Sequence, residues 1–225
     1  KDITGLQDII KPSGTEWLVQ EFISGPSYSL EVMGTPDRYS ALQVTDLAID
    51  ERYDCKRVTA PSSLPGVLIS RFERLALQLA DALNLSGIMD VEVISHENEL
   101  KVIEIDARLP SQTPTTVYWS TGLNMVRLLG DLFLNRQTPI KPNWDHEHGV
   151  IYEHVSVASN QLEIAGEHIM SGTDALHIYR DFFGADEAIT NYAADRDDWV
   201  ATLIVAEENL QAAWDKRNRI IADIT

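Results

Sequence analysis

The chain has 225 residues, 44% of them hydrophobic, enough to pack one large domain or two small ones. Its 35 acidic residues against 18 basic ones give a formal net charge of -17, which repels a phosphate backbone and argues against nucleic acid as a partner. The single cysteine, Cys55, can form no internal disulfide and reads as a small buried hydrophobe; with no bilayer-length apolar run and no basic-then-apolar leader, a soluble, reducing, cytoplasmic setting without a membrane partner is expected.

The first element is WLVQEFI, residues 17–23, an apolar run closed by Ser24-Gly25-Pro26 and read as a strand. YSLEVMG (28–34) follows as a second strand. Residues 39–49, YSALQVTDLAI, have mixed β character and lead into the turn-rich DERYDC and the loop APSSLPG. The best helix comes next: Phe72, Leu75, Leu79 and Leu83 recur at helical spacing, and Gly87 stands where a helix commonly stops. Strand MDVEVI (89–94), the polar turn SHENE and strand KVIEID (101–106) form a hairpin. After Pro114 the pattern is helical again, interrupted at Gly122, with Leu123, Val126, Leu129 and Phe133 as a core stripe. PIKPNWDHEHG, residues 139–149, is poor in apolar residues and carries two prolines, so a boundary is placed there, between a domain over 1–140 and a smaller one over 141–225. Beyond it lie short strands in IYEHVSV, DALHIY and WVATLIV, then a last helix with Leu210, Trp214, Arg217 and Ile221 on one face. The fold class is α+β, antiparallel sheets with packed helices and a small α/β C-terminal unit.

The hairpin carries the chemistry. If Glu92 sits opposite Glu104, the same register sets Asp90 opposite Asp106 and Ile94 opposite Val102. One face is then Met89, Val91, Val93, Ile103 and Ile105, all expected to be core. The other carries four carboxylates in two facing pairs. Two such charges ~4 Å apart repel by about 4 kcal/mol at an effective dielectric of 20, a large part of a domain's stability. A divalent cation held by oxygen ligands would offset that repulsion. On spacing alone, an acidic hairpin face that is simply solvated fits as well, and a non-catalytic acidic module that holds a cation or a basic partner stays open.

GIMDVEVISHENELKVIEIDARLPSQTP (87–114) resembles the metal-binding core of ATP-grasp ligases, in which a Glu on one strand and Glu-x-Asn on the next hold Mg²⁺. The resemblance puts Glu92, Glu104 and Asp106 in that role, with Asp for Asn at 106, and Arg108 at the position of a substrate-contacting arginine. LVQEFISGPSYSLEV (18–32) resembles the hinge on which these enzymes lay adenine. It implies ATP contacts at Gln20, Glu21, Phe22 and Ile23, while Pro26-Ser27 stands where many members have a ribose-binding Glu. Within the superfamily, SLEV (29–32), YDC (53–55), KVIEIDAR (101–108), PSQTPT (110–115) and IYEH (151–154) resemble the 3-methylornithine:L-lysine ligases of pyrrolysine biosynthesis. That likeness implies ATP and Mg²⁺ as cofactors, 3-methyl-D-ornithine and L-lysine as substrates, a C–N bond made through an acyl phosphate, and compatibility with a homodimer. Arg108 would hold the carboxylate or its acyl phosphate, or balance Asp106 as an ion pair. Ser29, Glu31 and Ser111 are the candidate amino-acid contacts, with Tyr53 and Asp54 as weaker ones. The same metal block also serves other amino-acid and purine-pathway ligases.

KPSG (11–14) looks like the start of a phosphate-cradling loop but abuts the hinge with no room for an intervening strand, so it reads as a turn. The glycine-rich loop and a preceding domain are expected to be missing on the N-terminal side, leaving a fragment expected to bind nucleotide poorly and turn over little by itself. His154 and the HEH at 146–148 lack ligand spacing with a third partner and are given no role.

Overall fold

The computed structural model describes residues 19–134, 147–159 and 161–225. KPSG and most of the expected boundary segment lie outside them. Eleven strands form one largely antiparallel sheet whose order is β6-β5-β1-β3-β4-β7-β11-β10-β9, with β2 paired to β1 and β8 to β7. The strands are β1 Ser27–Thr35, β2 Arg38–Ala41, β3 Thr45–Ile49, β4 Cys55–Ala60, β5 Gly87–His96 and β6 Glu99–Asp106, then β7 Gly149–Ala158, β8 Gln161–Ile164, β9 His177–Phe182, β10 Ala185–Thr190 and β11 Trp199–Glu207. Four helices pack on it: α1 Gly66–Ala82, α2 Thr113–Thr121, α3 Met125–Phe133 and α4 Leu210–Ile224. β4 pairs with β7, so strands from before and after residue 140 share one sheet.

The sheet's two faces have different covers. On the back, α1 sits over β1 and β5, burying Leu30, Val32, Phe72, Ala76, Met89, Val91 and Val93. Farther along the same face, α4 covers β7 and β11 through Ala213 and Ile220. On the front, α2 and α3 pack Val117, Met125 and Leu128 against Met33, Leu42 and Ile88. Alternation along β1 therefore sends Leu30 and Val32 to one core and Ser29, Glu31 and Met33 to the other side.

Several expectations are corrected. Residues 19–23 of the first expected strand are not in a strand, and Val19 and Phe22 are exposed. The hairpin register holds at Asp90–Asp106 and Glu92–Glu104, but an irregularity after Glu92 pairs Ile94 with Lys101 rather than Val102. Ile103 and Ile105 are 45% and 38% exposed rather than core. β6 is an edge strand, and α1's apolar cluster reaches it at Leu100. The buried stripe of α1 is Leu68, Phe72, Ala76 and Ala80 rather than one that includes Leu83. Small alanines let the helix lie close to the pleated sheet, and a search for large residues passes over them. For the same reason of phase, α3 buries Met125 and Leu128 while Val126 and Phe133 stay exposed. Gly87 ends no helix: it opens β5 with φ +138°, while α1 stops at Ala82. β4, β8 and β10 are strands that periodicity did not reveal.

Candidate functional site

Strand pairing assembles the site. In β1–β5, Ser29 faces Glu92 and Glu31 faces Asp90. In β5–β6, Glu92 faces Glu104 and Asp90 faces Asp106. Directly opposed residues share a face, so two rows, Ser29–Glu92–Glu104 and Glu31–Asp90–Asp106, run side by side across the front of three strands. The inner members are buried and the outer ones open: Glu31 is 0% and Asp90 6% exposed, whereas Glu104 is on the surface.

Each buried acid is only partly satisfied. Ser29 Oγ donates to Asp90 Oδ1 at 2.6 Å, and Thr113 Oγ1 at the start of α2 donates to Glu31 Oε1. Glu31 Oε2 is buried with no partner among the described residues. Burial, then repulsion from Asp90, pushes the Glu31 carboxyl up to about 8. Burial and the charges of Asp90, Glu104 and Asp106 push Glu92 up to about 7. Burial also raises Asp90, against the hydrogen bond from Ser29. The one guanidinium at this edge, Arg108, lies 2.7 Å from Asp106 Oδ2 and is largely exposed. Negative charge thus exceeds positive charge in a partly desolvated place, the setting in which a bound cation lowers the free energy most. Among the described residues no three His, Cys, Asp or Glu side chains are already gathered as a metal cage; Asp106 turns to Arg108 and Asp90 to Ser29.

A cleft of about 210 Å³ opens beside these rows, lined by Asp90, Glu92, Glu104, Arg108, Ser111, Gln112, Tyr53 and Glu167, among others. Glu167 comes from a 3-10 turn, Glu167–Met170. Its Oε2 accepts from Ser111 Oγ at 2.9 Å and Gln112 Nε2 at 3.1 Å. The next residue fastens that turn to the β3–β4 loop: His168 N and Nδ1 lie 2.7 and 2.8 Å from Asp54 Oδ2, and Gly166 N donates to Asp50 Oδ2 at 2.9 Å. A Cβ on Gly166 would stand 2.5 Å from the Asp54 side chain, so this approach requires glycine. Burial pushes the Cys55 thiol up to about 12, which fits a packing role rather than a nucleophile.

The structure brings together Ser29, Glu31, Glu92, Glu104, Asp106, Arg108 and Ser111, together with Tyr53 and Asp54. Gln20 and Glu21 are exposed and Ile23 is half-buried, all outside any strand. Phe22 meets the Tyr53 ring edge-on, 6.4 Å between centroids, and so borders the cleft. Sequence reasoning left Asp90 unassigned and missed Thr113, Gln112 and Glu167. Thr113 and Gln112 lie inside the quoted PSQTPT segment; Glu167, far along the chain, gave no local signal. His154 is 1% exposed, with Nδ1 2.8 Å from Thr202 Oγ1, a packed histidine. A larger cleft of about 840 Å³ along α2, Arg180 and Glu187 contains none of the two acidic rows.

Residues 5–112 match the ATP-grasp domain model. The chain carries an ATP-grasp domain. It is 42% identical over 166 residues to the 3-methyl-D-ornithine–L-lysine ligase of Methanosarcina mazei, covering 73% of this chain and 43% of that enzyme. It is 37% identical over 203 residues to the Methanosarcina acetivorans enzyme of the same name, covering 89% and 53%. The chain thus spans about half the length of these relatives. Among solved structures, the ATP-grasp fold superposes on a Campylobacter jejuni biotin carboxylase–β,γ-ATP complex with TM-score 0.65 at 15% identity, covering 91% of this chain and 47% of that one. A Hydrogenobacter thermophilus 2-oxoglutarate carboxylase biotin carboxylase domain dimer with MgADP gives 0.62 at 16%, covering 88% and 45%. Among the described residues no helix is long and apolar enough to cross a membrane.

Proposed function

We propose that this chain is the metal- and substrate-binding part of an ATP-dependent carboxylate-amine ligase that joins 3-methyl-D-ornithine to the ε-amine of L-lysine in pyrrolysine biosynthesis. One observation supports it above the others: two acidic rows in register across β1, β5 and β6, with one guanidinium at their edge and a buried carboxylate oxygen left without a partner. A merely solvated acidic face would not bury Glu31 and Asp90. The names of the relatives supply the substrates.

In this reading a substrate carboxylate attacks the γ-phosphate of ATP, breaking its bond to the bridging oxygen and releasing ADP, and the amine then opens the acyl phosphate to an amide with loss of phosphate and a proton. Glu92, Glu104 and Asp106 hold Mg²⁺, which supplies charge neutralisation to the phosphates when bound. Arg108 holds the substrate carboxylate, since its planar guanidinium meets two oxygens at once, and binding draws it from Asp106. Ser29, Glu31 and Ser111 contact the amino acids. Gln20 to Ile23 meet adenine, with Phe22 and Tyr53 at the cleft rim. A cytoplasmic homodimer is part of the same proposal, as is a C-terminal unit over 141–225.

Differential scanning of the purified chain tests it. Millimolar Mg²⁺ with ATP raises the melting temperature by mass action, and Glu104→Ala, a surface change, removes the rise. Equal stabilisation by Ca²⁺ without nucleotide favours a plain cation-binding module instead, and an unchanged rise in Glu104→Ala overturns the metal assignment.

A further inference from the structure

One corner of the cleft is built to accept hydrogen bonds and is not used by the metal or carboxylate roles above. Gln112 lines the cleft and is 6% exposed. Its Nε2 is committed to two acceptors, Glu167 Oε2 at 3.1 Å and the Cys55 carbonyl at 3.3 Å. That fixes the amide's orientation, since the flipped form would set oxygen against oxygen. Its Oε1 is left buried with no partner among the described residues. A buried acceptor without a donor costs free energy comparable to a lost hydrogen bond, unless a ligand supplies the donor.

Beside it, Glu167 places Oε2 under the hydroxyl of Ser111 and the amide of Gln112. Both of these donors meet Oε2 rather than Oε1. An amide oxygen and a carboxylate side by side match a group with several N–H donors and a positive charge. A carboxylate, phosphate or hydroxyl-only ligand would leave one of them unmatched or repelled.

We propose that Gln112 and Glu167 form the recognition corner for a primary alkylammonium, the side-chain amine of the nucleophilic amino acid. The inference rests on the ligase reading. Gln112 and Glu167 are different residues from Glu31 on β1, which leaves the two ammonium-bearing substrates different acceptors. Glu167 lies beyond residues 5–112, the span matching the shared ATP-grasp model, as befits a residue that selects the amine rather than handles ATP. It is held in place by the Gly166 and His168 contacts to Asp50 and Asp54, so the β3–β4 loop positions the corner without touching the ligand.

The test uses the full 225-residue chain with MgATP present, and calorimetric titration of L-lysine against L-norleucine, which lacks the side-chain amine. Wild type is expected to bind lysine at least tenfold more tightly than norleucine. Glu167→Gln and, separately, Gln112→Leu are expected to bring the lysine affinity down to that for norleucine, leave norleucine unchanged, and keep the Glu104-dependent MgATP stabilisation. Glu167→Gln retains the neighbouring hydrogen bonds' shape and guards against loss of fold in Gln112→Leu. Lysine bound no better than norleucine by wild type, or lysine preference intact in both variants, overturns the proposal. Loss of the MgATP effect in wild type instead strikes the ligase reading beneath it.

Discussion

Two buried carboxylates on opposite faces of one sheet are treated in opposite ways. Glu153, on β7, is 1% exposed. Arg57 donates to its Oε1, Arg217 Nε to its Oε2 at 2.7 Å, and Trp214 lies 4.8 and 5.9 Å from the two guanidinium carbons. Glu31, on β1, is 0% exposed and has one hydroxyl on one oxygen, nothing on the other and two further acids nearby. Both Glu153 oxygens meet an arginine within the chain, and the cluster joins β4, β7 and α4. Glu31 is complete only when something else arrives. That difference separates a structural ion pair from a binding site better than burial does, because the two carboxyl groups are buried to nearly the same degree.

The largest effect should fall on the satisfied group. Glu153→Ala leaves two arginines facing each other in a half-buried space, and a loss of about 3–5 kcal/mol is expected, read as a lower urea midpoint. A change under about 1 kcal/mol would erase the contrast. Glu31→Gln should act in the reverse direction. The native carboxyl titrates near 8 against an ordinary 4.5, so the folded state holds a proton that the unfolded chain releases. That contribution is present at low pH and is lost as pH rises from about 4.5 through 8; Glu92, raised to about 7, adds in the same sense. The variant should therefore be more stable than wild type at pH 8.5, by about 1–3 kcal/mol, with the advantage shrinking toward pH 5. Wild-type and variant curves that run parallel across this range would show that Glu31 is not uncompensated. The smallest effect sharpens the comparison by region. Asn209 caps α4, its Oδ1 accepting from Ala212 N at 2.9 Å. Asn209→Ala should cost about 1 kcal/mol, weaken the helix that presents Arg217 and Trp214, and leave the pH dependence of the Glu31 side unchanged in urea titrations.

The acid pairs were within reach because β geometry is short-range: with SHENE as the turn, two alternating strands can meet in few ways, and the register assumed from Glu92–Glu104, which also sets Asp90 opposite Asp106, holds at both pairs. The irregularity after Glu92 was not legible, and it altered the pairing of Ile94 without disturbing the acids. Helices were found but their faces were misjudged, as Leu83 and Val126 show, since hydrophobic spacing gives the period while the neighbouring surface selects the phase. β4 and β10 were missed because Lys56, Arg57, Asp186 and Glu187 break the apolar alternation.

By itself the sequence determined the two acidic strands, the turn between them and the existence of the main helices, all of which depend on residues close together along the chain. Only the tertiary structure decided that Glu31 is buried beside Asp90, that Ile103 and Ile105 lie on an open edge, and that Glu167 closes on Gln112. Those outcomes depend on which distant surfaces meet, and burial, the quantity that sets the cost of an unpaired charge, is a property of that meeting rather than of any one segment.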